Sequence, residues 1–365
     1  MERSFPEKNN RWTVNMDIAR RKDDHIEICL KKDVQVDHVH WDEVGLVHEA
    51  IPSTDMEDID ISAELLGKRL EAPIVISPMT GGGRRAREIN EVLAKAASEY
   101  GLAMGVGSQR AALENGEHLD SYSLMKEYDI PLVIGNIGAP QFSSGGSDTI
   151  DREKISQAID MIGADALYLH LNYLQEVIQP EGETRVKGLL DNLEEISSEF
   201  DIVAKETGAG ISRSAALSLK ESGVKAIDIA GSSGTSFAAV ESYRSGEQEV
   251  FSRMGKTFWN WGIPSPISLL FANVGLPLIG SGGIRSGLDI MRALAMGASA
   301  SGMAWHLLLP ASKGYDELSR EIENLKRELR SALFLSGVDS VHNAGSARYY
   351  LTGRTREIYL QIGRM

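Results

Sequence analysis

Residues 277–287 read Pro-Leu-Ile-Gly-Ser-Gly-Gly-Ile-Arg-Ser-Gly. A short apolar run meets a glycine turn, and Ser286 stands where a helix over 286–296 needs its N-cap. Backbone N–H groups in such a turn, ahead of a helix N-terminus, make an anion site. The pattern is not isolated. Apolar runs at 72–77, 102–106, 131–134, 166–171, 202–205, 226–229 and 299–303 also end in glycine-rich or polar loops: MTGGG, GSQR, GNIG, NYLQE, ETGAG, AGSSGTS and AWH. Runs without polar alternation suit strands buried on both faces, as in a parallel sheet. Most of the spacings between them match one β/α unit.

Helical periodicity fills the intervals. In 84–100, Ile89, Val92, Leu93 and Ala96 fall on one face. Segments 151–162, 188–199, 212–222 and 286–296 read similarly, with Ser212 as a second N-cap and Gly223 and Gly297 as helix-ending residues. Eight such units predict a TIM (β/α)₈ barrel, with the active site on the loops that follow the strands. A doubly wound sheet is the alternative. Three segments are extra: residues 1–71 before the barrel, a long loop-like insert at 235–264, and a tail that opens with a charged helix over 317–334. The barrel proper spans 72–365. The insert reads as a lid or as packing between subunits.

Composition narrows the function classes. Glycines number 36 of 365, about 10% against an average of roughly 7%. They concentrate at strand ends instead of being scattered. Lys and Arg total 38 against 52 Asp and Glu, for a net charge of −14. That balance argues against a general nucleic-acid binder but not against a local cationic pocket. The single cysteine, Cys29, excludes an intramolecular disulfide and a cysteine-based metal site. No apolar run reaches the ~20 residues of a membrane-spanning helix, and residues 1–12 lack a signal-peptide core. The expectation is a soluble, cytoplasmic enzyme.

The candidate site gathers on the barrel rim. The turn at 280–287, with Gly282, Gly283 and Arg285, falls after strand 7, and Gly302–Ala304 lie on strand 8, where barrels usually bind phosphate. Met79 and Thr80 open the glycine run after strand 1, which lets a flat ring approach the backbone. Ser108 and Asn136 offer polar groups to a heterocycle, and Ser232 and Thr235 extend the lining after strand 6. Lys205 ends strand 5, where a buried cation needs an anionic or electron-rich neighbour. His170 and Asn172 share a face at the end of strand 4, with Gln175 and Glu176 just beyond. Glu176 suits Mg²⁺, which takes one or two carboxylates plus substrate phosphates. Glu241, in the insert, reads either as an acid/base or metal group or as a surface residue. Arg20–His25 reads either as a diphosphate clamp or as a solvated charge run.

Seven motifs occur in order: RKDDHI, SPMTGG, GSQR, HLNYLQE, KETGAGIS, SGTSF and GSGGIRSG. Together they resemble type 2, flavin-dependent isopentenyl-diphosphate isomerase, over nearly the whole chain. Pro78, Tyr173 and Ser233 depart from the family pattern in loop shape only. The resemblance implies an FMN-binding barrel that converts isopentenyl diphosphate to dimethylallyl diphosphate without net redox. It implies reduced FMN, Mg²⁺, NADPH as reductant, and a homotetramer or homo-octamer. It places Met79, Thr80, Ser108, Asn136, Lys205, Thr235, Gly282, Gly283, Arg285, Met303 and Ala304 around FMN, and the loop reading adds Ser232 to that set. It places Arg21, Lys22, Arg110, His170, Asn172 and Gln175 on the substrate and Glu176 on Mg²⁺; Gln175 and Glu241 are the candidate catalytic groups. Two rivals are another FMN barrel oxidoreductase and a non-catalytic flavin binder. Hydroxy-acid oxidases of this type carry a histidine and an arginine after strand 6, where this chain has AGSSGTS.

Overall fold

The computed structural model of the protein describes residues 22–79, 81–116, 119–143, 151–245 and 248–362. Eight strands form its centre: β1 Ile74–Ile76, β2 Ala103–Gly105, β3 Leu132–Gly138, β4 Ala166–Leu171, β5 Ile202–Glu206, β6 Ala226–Asp228, β7 Leu278–Ser281 and β8 Ala300–Met303. Each pairs in parallel with the next, and β8 returns to β1 through Ser301↔Ile74. The sheet is a closed barrel, so the doubly wound alternative falls away. Every expected strand is present, with small shifts at the ends. The largest is β3, which runs on through Gly135-Asn136-Ile137-Gly138 as fully buried backbone.

Val75, Leu132, Ile134, Tyr168 and Val203 fill the barrel interior. A hairpin, Ala63–Leu65 with Lys68–Leu70, adds Leu65 and Leu70 to that cluster. The stretch before β1 therefore supplies part of the core itself. A second, larger cluster lies between the strands and the surrounding helices.

The helices follow their capping chemistry. Ser212 Oγ accepts from Ala215 N at 3.2 Å, and Ser286 Oγ accepts from Asp289 N at 3.1 Å. The helices they cap are Arg213–Glu221 and Gly287–Ala295. On helix Arg84–Tyr100, Ile89, Leu93 and Ala96 are buried, as the periodicity predicts. The tail helix runs from Tyr315 to Leu335.

The expected loop at 235–264 is instead largely helical among its described residues, as Phe237–Arg244 and Glu249–Thr257. Ser236 caps the first of these through Ala239 N. Residues 238–242 are all buried, so no polar face remains to mark the helix in the sequence.

Candidate functional site

One cavity opens at the C-terminal mouth of the barrel. Loops that follow the strands line most of it, and helix 22–31 adds Lys22, His25, Ile26 and Cys29.

Its floor is the glycine turn after β7. Gly282 and Gly283 have φ of +84° and +83°, a region that disfavours side chains. A Cβ at either would also collide with the backbone of residues 231 or 233. Two loops thus pack backbone on backbone where the sequence places the expected phosphate turn. Trp41, fully buried, donates its indole N–H to Gly282 O at 2.8 Å. Arg285 lines the cavity, but its Nη2 donates to Asp42 Oδ1 at 2.7 Å and its Nε to Asp289 Oδ2 at 3.4 Å. The guanidinium expected to face a phosphate is shared with two carboxylates.

Lys205 and Asp228 form the buried pair beside the floor. Lys205 Nζ donates to Asp228 Oδ2 at 2.9 Å, and Asp228 Oδ1 accepts from Ser281 Oγ. Asp228 is fully buried. Sequence reasoning asked what anion Lys205 faces but did not name Asp228. The signal was an acid inside the apolar run Ala-Ile-Asp-Ile. Next along the chain, Glu206 turns onto its own loop and accepts four backbone N–H groups, from residues 207–210, at 2.5–3.1 Å. Burial pushes its pKa up to about 7, against the pull of those four donors.

The opposite wall comes from β3 and β4. Asn136 Nδ2 donates to Val106 O at 3.0 Å, which turns its Oδ1 to His170 Nδ1 at 2.8 Å. His170 therefore carries its proton on Nδ1 and offers the Nε2 lone pair. Burial, with Lys205 and Lys22 nearby, pushes its pKa down to about 4. Asn172 Nδ2 donates to Glu176 Oε1 at 2.7 Å and to Gln175 Oε1 at 3.4 Å. Asn172 Oδ1 is buried and has no hydrogen-bond partner. Glu176 Oε2 accepts from Glu183 N at 2.7 Å and Gln179 Nε2 at 3.2 Å.

Gln175 donates to Glu241 Oε1 at 2.9 Å. The same oxygen meets His25 Nε2 at 2.9 Å, and Glu241 Oε2 accepts from Arg244 Nε at 2.6 Å. Glu241 is fully buried and does not line the cavity. Burial raises its pKa, but His25, Arg244 and Gln175 together outweigh that and bring it down to about 2. The alternative that made it a surface residue is therefore incorrect.

The remaining expected residues sort as follows. Met79, Ser108, Arg110, Thr235, Met303 and Ala304 line the cavity. Lys22 Nζ donates to Ser108 O and Tyr122 OH, both at 2.8 Å. Arg110 is held by Glu114 and Glu183 at 2.7 and 3.2 Å. Ser232 is not part of the lining; it is buried, with its N–H on Ile263 O. Its loop packs against residues 282–283. Arg21 and Thr80 lie outside the described residues. Among the described residues no helix is long and apolar enough to cross a membrane.

Known proteins resemble this chain in sequence and in fold. The family model of FMN-dependent dehydrogenases matches residues 30–117 and 262–350. Solved mandelate oxidase structures share the fold. One, with 3,3-difluoro-2-hydroxy-3-phenylpropionic acid, has TM-score 0.60 and 17% identity, over 93% of this chain and 99% of that one. Sequence relatives are much nearer. The isopentenyl-diphosphate delta-isomerase of Thermoplasma volcanium is 47% identical over 328 residues, 89% of this chain and 94% of that protein. That of Methanothrix thermoacetophila is 45% identical over 354 residues, 95% of this chain and 97% of that protein.

FMN fits what the residues present. The glycine turn and Lys205 border the cavity, and Ser77 Oγ, on its wall, is buried without a partner. On its sequence, its barrel and this site, the chain belongs to the isopentenyl-diphosphate delta-isomerase family, in its FMN-dependent class.

Proposed function

We propose that the protein interconverts isopentenyl and dimethylallyl diphosphate, with reduced FMN and Mg²⁺, and that NADPH supplies the reduction. The observation that carries this reading is one cavity with two unlike walls. The glycine turn and Lys205 make a flavin-phosphate side. Lys22, His170, Asn172, Gln175 and Glu176 make a polar side suited to a second anion. Bound reduced FMN would supply acid–base chemistry at its ring. The chain's own groups hold the substrate. Lys22 supplies charge from helix 22–31. The diphosphate's own charge draws a proton onto His170 Nε2, which then donates to one of its oxygens. Asn172 meets the diphosphate through the Mg²⁺ on its Oδ1. Arg21 is assigned beside Lys22.

Mg²⁺ fits an oxygen pair. Glu176 gives a carboxylate, and the partnerless Asn172 Oδ1 gives a second oxygen from a side chain already bonded to it. Gln175 fixes geometry, its carboxamide gripped by Glu241 on one side and Asn172 on the other. With a pKa near 2, Glu241 stays ionised at neutral pH and acts through Gln175, as a positioning residue. A homo-oligomer is part of the proposal. Exposed Val250 and Trp261, at 67% and 62%, support a subunit contact in the insert.

The test is an anaerobic reaction in D₂O with isopentenyl diphosphate, Mg²⁺ and dithionite-reduced FMN. Deuterated dimethylallyl diphosphate is expected. Absence of both product and deuterium exchange overturns the reading. Substrate oxidation with net flavin reduction would favour the oxidoreductase rival.

A further inference from the structure

Outside the barrel mouth, the sequence His38-Val39-His40-Trp41-Asp42-Glu43 brings two imidazoles and a carboxylate together. Their ligating atoms all lie within 4.8 Å of one another. His38 Nε2 stands 3.1 Å from Glu43 Oε1, and His40 Nδ1 stands 3.6 Å from Glu43 Oε2. The two imidazole rings meet edge to face with centroids 4.4 Å apart.

We propose that His38, His40 and Glu43 form a divalent transition-metal site, of the zinc class, that locks the turn of residues 38–43. Metal–ligand bonds of about 2.0–2.2 Å put neighbouring ligands of a tetrahedral ion roughly 3.3–3.6 Å apart. The His40–Glu43 separation of 3.6 Å lies at that spacing, and the His38–Glu43 separation of 3.1 Å lies a little below it. Two nitrogens and one oxygen form a donor set for zinc, cobalt or nickel, unlike the oxygen set suited to Mg²⁺ at Glu176.

A second observation points to a ligand. His38 Nε2 is a buried atom without a hydrogen-bond partner, although the side chain as a whole is 41% exposed. The atom faces its neighbours while the ring edge reaches solvent, which gives an ion an entry path. The other partners are compatible. Glu43 accepts from Arg354 N at 3.0 Å, Thr355 N at 2.7 Å and Thr355 Oγ1 at 2.5 Å. A carboxylate offers about four lone-pair positions, so one remains. His40 Nδ1 meets Thr355 Oγ1 at 2.7 Å. Since that hydroxyl donates to Glu43, His40 gives it a proton, and metal binding releases that proton.

The position gives the site a purpose. Trp41 and Asp42 lie between the ligands, and they are the residues that hold Gly282 and Arg285. An ion there would stiffen the support of the anion-binding turn from behind.

The test uses tag-free, chelator-treated protein titrated with Co²⁺. Wild type should show one equivalent of ligand-field absorption that Glu176→Gln keeps and His38→Ala loses. Zn²⁺ should raise the melting temperature of wild type and leave His38→Ala unmoved. His38 is substituted in preference to His40 because its ring is partly exposed while that of His40 is buried. No absorption in wild type, or equal titration and equal thermal shift in His38→Ala, overturns the proposal.

Discussion

The carboxamide N–H of Gln175 donates to Oε1 of Glu241 across 2.9 Å, bridging the barrel mouth to a helix of the insert. The acceptor is a fully buried carboxylate. Replacing it with neutral Glu241→Gln keeps the shape and weakens a charged hydrogen bond worth about 1.5–3 kcal/mol. A fall in kcat of roughly 10–100-fold is expected, with KM changed less, measured under anaerobic steady state. Unchanged kcat would remove Glu241 from the positioning role.

Lys205 and Asp228 are a buried ion pair, and breaking one side strands the other. Asp228→Asn should cost about 3–5 kcal/mol in denaturant unfolding. The double variant Lys205→Met/Asp228→Leu should recover most of that stability, yet bind FMN less well than wild type. A double variant as unstable as the single one would contradict this account.

His170 gives a pH dependence with a definite sign. Its pKa falls from 6.5 in the unfolded chain to about 4 when folded. The unfolded state therefore binds more protons between those values. The contribution of the neutral ring is complete above pH 6.5 and is lost as pH falls toward 4. Relative to His170→Asn, wild type should lose about 2 kcal/mol between pH 7 and 5. Urea unfolding at both pH values measures it, and comparing the two proteins cancels other groups such as Glu206. A flat difference would refute it.

Glu176→Gln removes the charge assigned to Mg²⁺ and leaves the acceptor for Asn172. The Mg²⁺ concentration for half-maximal activity should rise about 10–100-fold. Activity independent of Mg²⁺ in wild type would exclude the metal assignment.

Gly283→Ala places a methyl group at φ +83° and against the Ser233 carbonyl. Retained flavin absorbance after gel filtration should fall at least tenfold. Full retention would mean the two loops can move apart cheaply.

The sequence displayed the barrel because its strands are buried on both faces and leave unbroken apolar runs. It displayed much of the site because β-strand parity puts His170 and Asn172 on one face and because glycine marks close backbone approach. The partners were harder to see. Gln175 and Glu241 are 66 residues apart, and His25 and Glu241 are 216 apart. Only the closed fold joins them. The helix of Glu241 was hidden because residues 238–242 are all buried, so periodicity had nothing to contrast. Asp228 was visible as an acid within an apolar run, and its role needed Lys205 beside it. The redirection of Arg285 was invisible, since Asp42 lies 243 residues away.

Trp41, bonded to Gly282 O, has an optical consequence. Trp305 lines the cavity and donates to Cys29 O at 2.8 Å, while Trp41 is buried behind the turn. Two of the five tryptophans thus stand at the cavity proposed for the flavin, one beneath the glycine turn and one on the wall. Their fluorescence should be quenched as the isoalloxazine settles and restored as it departs. The molecule carries its own gauge of cofactor occupancy, readable without a label or a turnover assay.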